Sequence, residues 1–195
     1  DQQHDHNFMN KTTNKYLTNP YNFLLIYLRL SLTKNCNISC IHRKPAHAPY
    51  WYHQSSRLKL YEIQNILEAF KNLSFTKVRF TGGEPTLHPD YLKAIHIAKK
   101  LEYTKICITT NAILINDVNA LKNNGLNQIN ISLHSINPKT FEKITNTDKL
   151  DHVLKVIEQA LKIDIKIKVN TILLRTINFN EIHEMINWAA AIPIT

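Results

Sequence analysis

The chain has 195 residues, a length that fits one domain of ordinary size, and 44% of it is hydrophobic, enough to bury a substantial core. Its 24 Lys and Arg against 15 Asp and Glu leave a formal charge of +9. The longest apolar run, Phe23 to Leu28, is too short to span a membrane, and residues 1–20 hold no signal-peptide core. A cytoplasmic location is therefore expected, and three cysteines in such a chain do not suggest a disulfide scaffold. The basic residues are scattered. That distribution suits a small anion held by a few placed cations better than a nucleic-acid groove or a membrane surface, the plain alternative being a basic surface with no specific partner.

Residues 1–20, rich in Asn, Gln, Thr and His, read as a disordered or polar N-terminal extension in which Met9 is a candidate start, and 21–195 as the core domain. Leu24 to Leu32 is an apolar run of strand type, followed by Cys36 and Cys40. Ile63, Ile66, Leu67, Phe70 and Leu73 share one helical face. A second strand, Lys77 to Thr81, runs into Gly82-Gly83-Glu84-Pro85. The sequence has only three glycines, so an adjacent pair marks a special backbone position.

Tyr91, Ile95, Ala98 and Leu101 form the next helical stripe, and Lys105 to Thr109 a third strand with Cys107 as a small buried residue. Gly125 closes a short helix, and Gln128 to Leu133 is the fourth strand, leading to His134-Ser135. Asn137-Pro138 is a helix start. Val153, Leu154, Ile157 and Leu161 line another helix, Ile165 to Leu173 reads as a fifth strand, and Ile182, Met185, Ile186 and Ala189 as a last helix. The chain stops at Thr195, where a sixth strand is expected, which predicts truncation.

Strict alternation of strands and helices implies a parallel sheet with helical crossovers, either open and doubly wound or part of a β/α barrel. In both folds the chemistry sits just past the carboxyl ends of the strands. Polar groups cluster there in this sequence: Cys36 and Cys40, Gly82 to Pro85, Thr109-Thr110-Asn111, Ser132 to Ser135, and Lys168 to Thr171.

The order of Tyr27-Leu28-Arg29-Leu30-Ser31-Leu32-Thr33, Cys36-x3-Cys40, Val78-Arg79-Phe80-Thr81-Gly82-Gly83-Glu84-Pro85, Ile108-Thr109-Thr110-Asn111, Ile131-Ser132-Leu133-His134-Ser135 and Lys168-Val169-Asn170-Thr171 resembles the radical S-adenosylmethionine (SAM) superfamily. Within it the phrases are most similar to the GTP 3',8-cyclases of molybdenum cofactor biosynthesis, from about Leu17 to about Trp188. The resemblance implies an α/β fold, an incomplete β/α barrel of parallel strands. It implies a [4Fe–4S] cluster, with Cys36 and Cys40 as metal ligands, and SAM, with Gly83, Ser132, Glu84 and His42 at the cofactor. Arg29, Arg79, Thr109 and Lys168 match positions that contact GTP, whose triphosphate would neutralise inward cations. GTP as substrate, a reductant protein for the cluster and a homodimer are the implied partners.

The chain departs from the family pattern. Arg43 stands where the third cluster cysteine belongs, and a guanidinium has no lone pair for iron. His42, beside it, carries an imidazole, which can ligate cluster iron. His134 stands where an aspartate is common, and Asn22-Phe23 where Gly-Arg is. The family's later cysteine cluster is absent. Three readings follow: a radical SAM enzyme, GTP 3',8-cyclase or another member; a non-catalytic remnant that binds SAM or a nucleotide; and a zinc module from Cys36, Cys40, His42 and His47. Outside the motif order, each residue has a plain alternative: loop cysteines without metal, a strand-to-helix turn at Gly82-Gly83, and an exposed lysine at Lys168.

Overall fold

The computed structural model describes residues 16–42 and 57–194. Five strands form one parallel sheet: β1 (Tyr27–Thr33), β2 (Lys77–Gly82), β3 (Lys105–Thr110), β4 (Gln128–Ser132) and β5 (Lys166–Asn170). Their spatial order follows the chain, β1-β2-β3-β4-β5. A doubly wound sheet reverses its strand order at a switch point. No reversal occurs here, so the sheet is an arc of a barrel, open rather than closed.

Among the described residues, six α-helices complete the repeat: α1 (Leu60–Asn72), α2 (Tyr91–Lys100), α3 (Val118–Asn123), α4 (Pro138–Thr145), α5 (Leu150–Lys162) and α6 (Ile182–Ala190). Side chains alternate across a strand. One set, including Leu30, Val78, Phe80, Ile108, Ile129 and Ile167, is buried and belongs to the same core as Ile63 and Leu67 of α1, Ile95 of α2 and Val153 of α5. The other set faces the concave side and is almost wholly polar. The core thus lies on the helical side of the sheet and leaves the concave side for chemistry.

The strands are shorter than their apolar runs. Leu24 and Leu25 stay outside β1 and exposed. The run from Ile165 to Leu173 leaves the ladder after Asn170, because side chains take over the bonding. Thr171 Oγ1 donates to the Leu133 carbonyl at 2.8 Å, and the Ile172 N–H donates to His134 Nδ1 at 3.2 Å. The predicted start of α4 is present: Asn137 Oδ1 accepts from the N–H groups of Lys139 at 3.0 Å and Thr140 at 3.3 Å. In α6 only Met185 is buried, and Ile186 is exposed. Among the described residues no helix is long and apolar enough to cross a membrane.

Candidate functional site

The carboxyl ends of the strands open into a cleft of about 160 Å³. Cys36, Cys40, His42, Gly83, Glu84, Thr109 and Ser132, all candidates from the sequence, line it. Arg29, Arg79 and Lys168 are not among its lining residues. They lie on the concave face nearer the amino ends of the strands.

Glu84 ties the tips of β2 and β3 together. It is 1% exposed, and both carboxylate oxygens are engaged. Oε1 accepts from Thr86 Oγ1 and Thr110 Oγ1, both at 2.6 Å, and from the Thr86 N–H at 3.1 Å. Oε2 accepts from the Asn111 N–H at 2.8 Å. Oε1 thus takes three of the four bonds and Oε2 the fourth, all from groups of the protein itself. The acid is therefore an organiser of the cleft wall. Asn111 carries the connection onward, since its Nδ2 donates to Asn37 Oδ1 at 2.8 Å, inside the Cys36–Cys40 loop.

The two glycines serve the same loop. Gly82 has φ +146°, a conformation that side chains rarely adopt. The Gly83 N–H donates to the Thr33 carbonyl and the Glu84 N–H to the Asn35 carbonyl, both at 2.7 Å. A Cβ on Gly83 would lie 2.1 Å from the Asn35 oxygen and 2.4 Å from the Lys34 oxygen. The sequence suggests that the glycines make room for a ligand. The structure shows that they first make room for the backbone leading into Cys36. A third tie, the Ile41 N–H to the Ile144 carbonyl at 3.0 Å, fixes the far end of the loop against α4. Residues 37 and 41 are thus anchored to the barrel, and Cys36, Cys40 and His42 take their places from those anchors.

This predicts a measurable effect for Asn111→Ala. Losing the link to Asn37 and the bond from the Ile113 N–H to Asn111 Oδ1 is expected to cost about 1–3 kcal/mol of stability. Hydrogen exchange should show faster opening of the loop amides around Cys36 to Ile41, with the β-sheet amides unchanged.

Two histidines meet at the opposite wall. The rings of His42 and His134 pack edge to face, with centroids 4.9 Å apart at 89°. His134 Nδ1 accepts the Ile172 N–H, so in the neutral ring Nε2 carries the proton. Its carbonyl accepts from Asn178 Nδ2 at 2.6 Å, which also reaches the Ile172 carbonyl at 2.9 Å. The segment before α6 is thereby fastened to the end of β4. Nothing in the sequence flagged Asn178, which sits in a linker far from the motifs.

Among the described residues, the strands place six cations on the concave face, Arg29, Lys77, Arg79, Lys105, Lys166 and Lys168, and no carboxylate. Arg29 and Arg79 are direct register partners. Among the described residues none of the six forms an ion pair. Arg79 is held by neutral groups: its Cζ lies 5.2 Å from the centroid of the Tyr27 ring. With the amide oxygen of buried Asn130 turned toward it, Nη2 and Nε donate to that oxygen at 3.1 and 3.0 Å. Like charges side by side, without a neutralising carboxylate, favour an anion on this face.

Cys107 lies mid-strand in β3 and is fully buried. Burial pushes its thiol pKa up, against the lowering effect of Lys105 and Arg79. It remains a protonated packing group, as the sequence suggests. Arg43, His47 and the other residues of 43–56 lie outside the described residues, as do residues 1–15. Among the described residues no three His, Cys, Asp or Glu side chains converge to hold a single metal ion.

A model described as the Radical SAM superfamily matches residues 30–189. The chain is 38% identical over 170 residues to a GTP 3',8-cyclase of Clostridium perfringens, covering 86% of this chain and 53% of that protein. It is 39% identical over 171 residues to one from Mannheimia succiniciproducens, covering 86% and 51%. The chain therefore spans about half the length of the curated relatives it matches. Among solved structures, Streptococcus suis SuiB bound to S-adenosylmethionine superposes with a TM-score of 0.69 at 21% identity, over 86% of this chain and 37% of SuiB. Native anSMEcpe with bound AdoMet and a peptide gives 0.65 at 16%, over 83% and 47%. At these identities the structural matches establish the fold alone.

Proposed function

The chain belongs to the radical SAM superfamily, and from that premise we propose that it serves the conversion of GTP to (8S)-3',8-cyclo-7,8-dihydroguanosine 5'-triphosphate in molybdenum cofactor biosynthesis. The observation that carries the reading is spatial: two thiols, the Gly82-Gly83 turn, Ser132 and Thr109 share one cleft beside an uncompensated cationic face. Support for GTP comes from the names of the similar cyclases.

In this reading Cys36 and Cys40 hold two irons of a [4Fe–4S] cluster. The donor set fits in chemistry, since a cubane places its thiolates on separate irons and they need not converge on one point. A mononuclear zinc site would need such convergence. Gly83 and Ser132 would hold SAM, with Glu84 fixing that wall of the cleft and His42 at its edge. When bound, the cluster and SAM would supply one-electron radical chemistry at the ribose. A reductant protein supplies the electron.

Arg29, Arg79, Thr109 and Lys168 receive GTP, with the triphosphate between the cations. Thr109 is the one of the four that also reaches the cleft. Removing a charge-assisted contact costs about 1.5–3 kcal/mol, or roughly tenfold or more in affinity. Calorimetric titration of Arg79→Ala should therefore show GTP binding weakened by at least that factor, and binding of guanosine, which lacks the phosphates, little changed. Equal loss for both ligands would remove the triphosphate from this face. GTP binding without SAM cleavage in the reconstituted protein would favour a non-catalytic nucleotide-binding role.

A further inference from the structure

We propose that His42 is the third protein ligand of the iron–sulfur cluster, a proposal that rests on the cofactor reading above. A cubane that leaves one iron open for a small molecule takes three protein ligands, and Cys36 and Cys40 provide two. Arg43, in register for the third, has none to give. Glu84 spends both oxygens on Thr86, Thr110 and Asn111. His134 uses Nδ1 to accept the Ile172 N–H, which leaves a protonated nitrogen that donates rather than ligates. Cys107 is buried in the middle of β3, outside the cleft lining, with its proton held by burial. Among the described residues, His42 is the further Cys or His side chain that lines the cleft beside Cys36, Cys40 and His134.

Its position also fits. His42 follows Cys40 by two residues on a segment pinned by Asn37 to β3 and by Ile41 to α4. The His134 ring, set edge to face at 4.9 Å, limits how the imidazole can turn. Neutral imidazole is an established ligand of cluster iron. Exchanging a thiolate for it removes one negative charge from the site, which makes the reduced state easier to reach. The ligand pattern of this chain is then Cys-x3-Cys-x-His.

The test is anaerobic reconstitution of the whole chain with ferrous iron and sulfide, using protein labelled with 15N-histidine and a matched unlabelled sample. Three forms are compared: the natural chain, His42→Ala, and His42→Ala combined with Arg43→Cys. Circular dichroism and thermal melting confirm that the variants fold alike. The expected natural product has about four irons and four sulfides per chain. Pulsed EPR of its reduced state should show a nitrogen coupling that changes with the label. His42→Ala should lose iron to a chelator at least tenfold faster. The double variant should regain a stable cluster without nitrogen coupling, at a lower reduction potential than the natural chain. A natural cluster lacking nitrogen coupling overturns the proposal, and so does unchanged stability in His42→Ala. A cluster in the double variant alone also overturns it, while leaving the loop reading intact. Iron binding by none of the three overturns both together.

Discussion

Replacing Glu84 with alanine is expected to cost about 3–5 kcal/mol of folding stability, one of the two largest effects in this structure. The carboxylate is 1% exposed and accepts four hydrogen bonds, two from hydroxyls and two from backbone N–H groups. Alanine leaves those donors facing a space that was filled by an acceptor. Each buried donor without a partner costs about 1–3 kcal/mol, and partial relaxation brings the sum down. Glu84→Gln preserves the shape, and with its NH2 in place of Oε2 it turns that group toward the Asn111 N–H alone, so an intermediate loss is expected. Urea unfolding of the three proteins checks the order. A change under 1 kcal/mol for the alanine variant would show that the network between the tips of β2 and β3 is dispensable.

The second large effect is at Gly83. A methyl group there would stand 2.1 Å from one backbone oxygen and 2.4 Å from another. Both belong to the Lys34–Asn35 backbone, which cannot swing aside as a side chain can. Those residues lead straight into Cys36, and the Gly83 and Glu84 N–H groups bond to the same stretch. Gly83→Ala is expected to cost about 3 kcal/mol or more, in the range of severe overpacking, and to abolish cluster assembly because the loop must move. Chemical unfolding and iron analysis read the two consequences separately. An alanine variant that keeps both stability and iron would mean that the loop does not need this close approach.

Much of this fold was legible in the sequence because hydrophobic periodicity and burial are the same fact seen twice. The runs at Val78-Arg79-Phe80 and Ile129-Asn130-Ile131 alternate because one side meets helices and the other the concave face. Strand ends were less legible. The Ile165 to Leu173 run keeps its apolar character past Asn170, and only the bonds made by Thr171 and His134 show where the ladder stops. The choice between a doubly wound sheet and a barrel arc depends on which strands are neighbours, and periodicity carries no information on that.

At the site, the motifs located Cys36, Cys40, Gly83, Glu84, Thr109 and Ser132, and the structure brings them together in one cleft. What the motifs did not convey is direction. Glu84 reads in sequence as a group beside the cofactor, whereas its carboxylate is turned into the protein. The tie from Asn111 to Asn37 joins residues 74 positions apart, and two asparagines in separate loops give no sequence signal of a bond. The basic face was visible only as scattered arginines and lysines until strand register placed Arg29 beside Arg79.

These pieces form one causal chain. Alternating strands build a sheet with a polar concave side, and the Gly82-Gly83 turn and the Glu84 network hold the cysteine loop at its rim. The loop then offers its donors to a cofactor next to cations that can hold a phosphate chain. A rim built in this way is a SAM-binding cluster site. EPR of the anaerobically reconstituted and reduced chain, recorded with and without SAM, tests it most directly. The expected result is a cluster signal whose g-values shift when SAM is added, followed by formation of 5'-deoxyadenosine and methionine. A cluster signal identical in the presence and absence of saturating SAM, or no cluster at all, would contradict it.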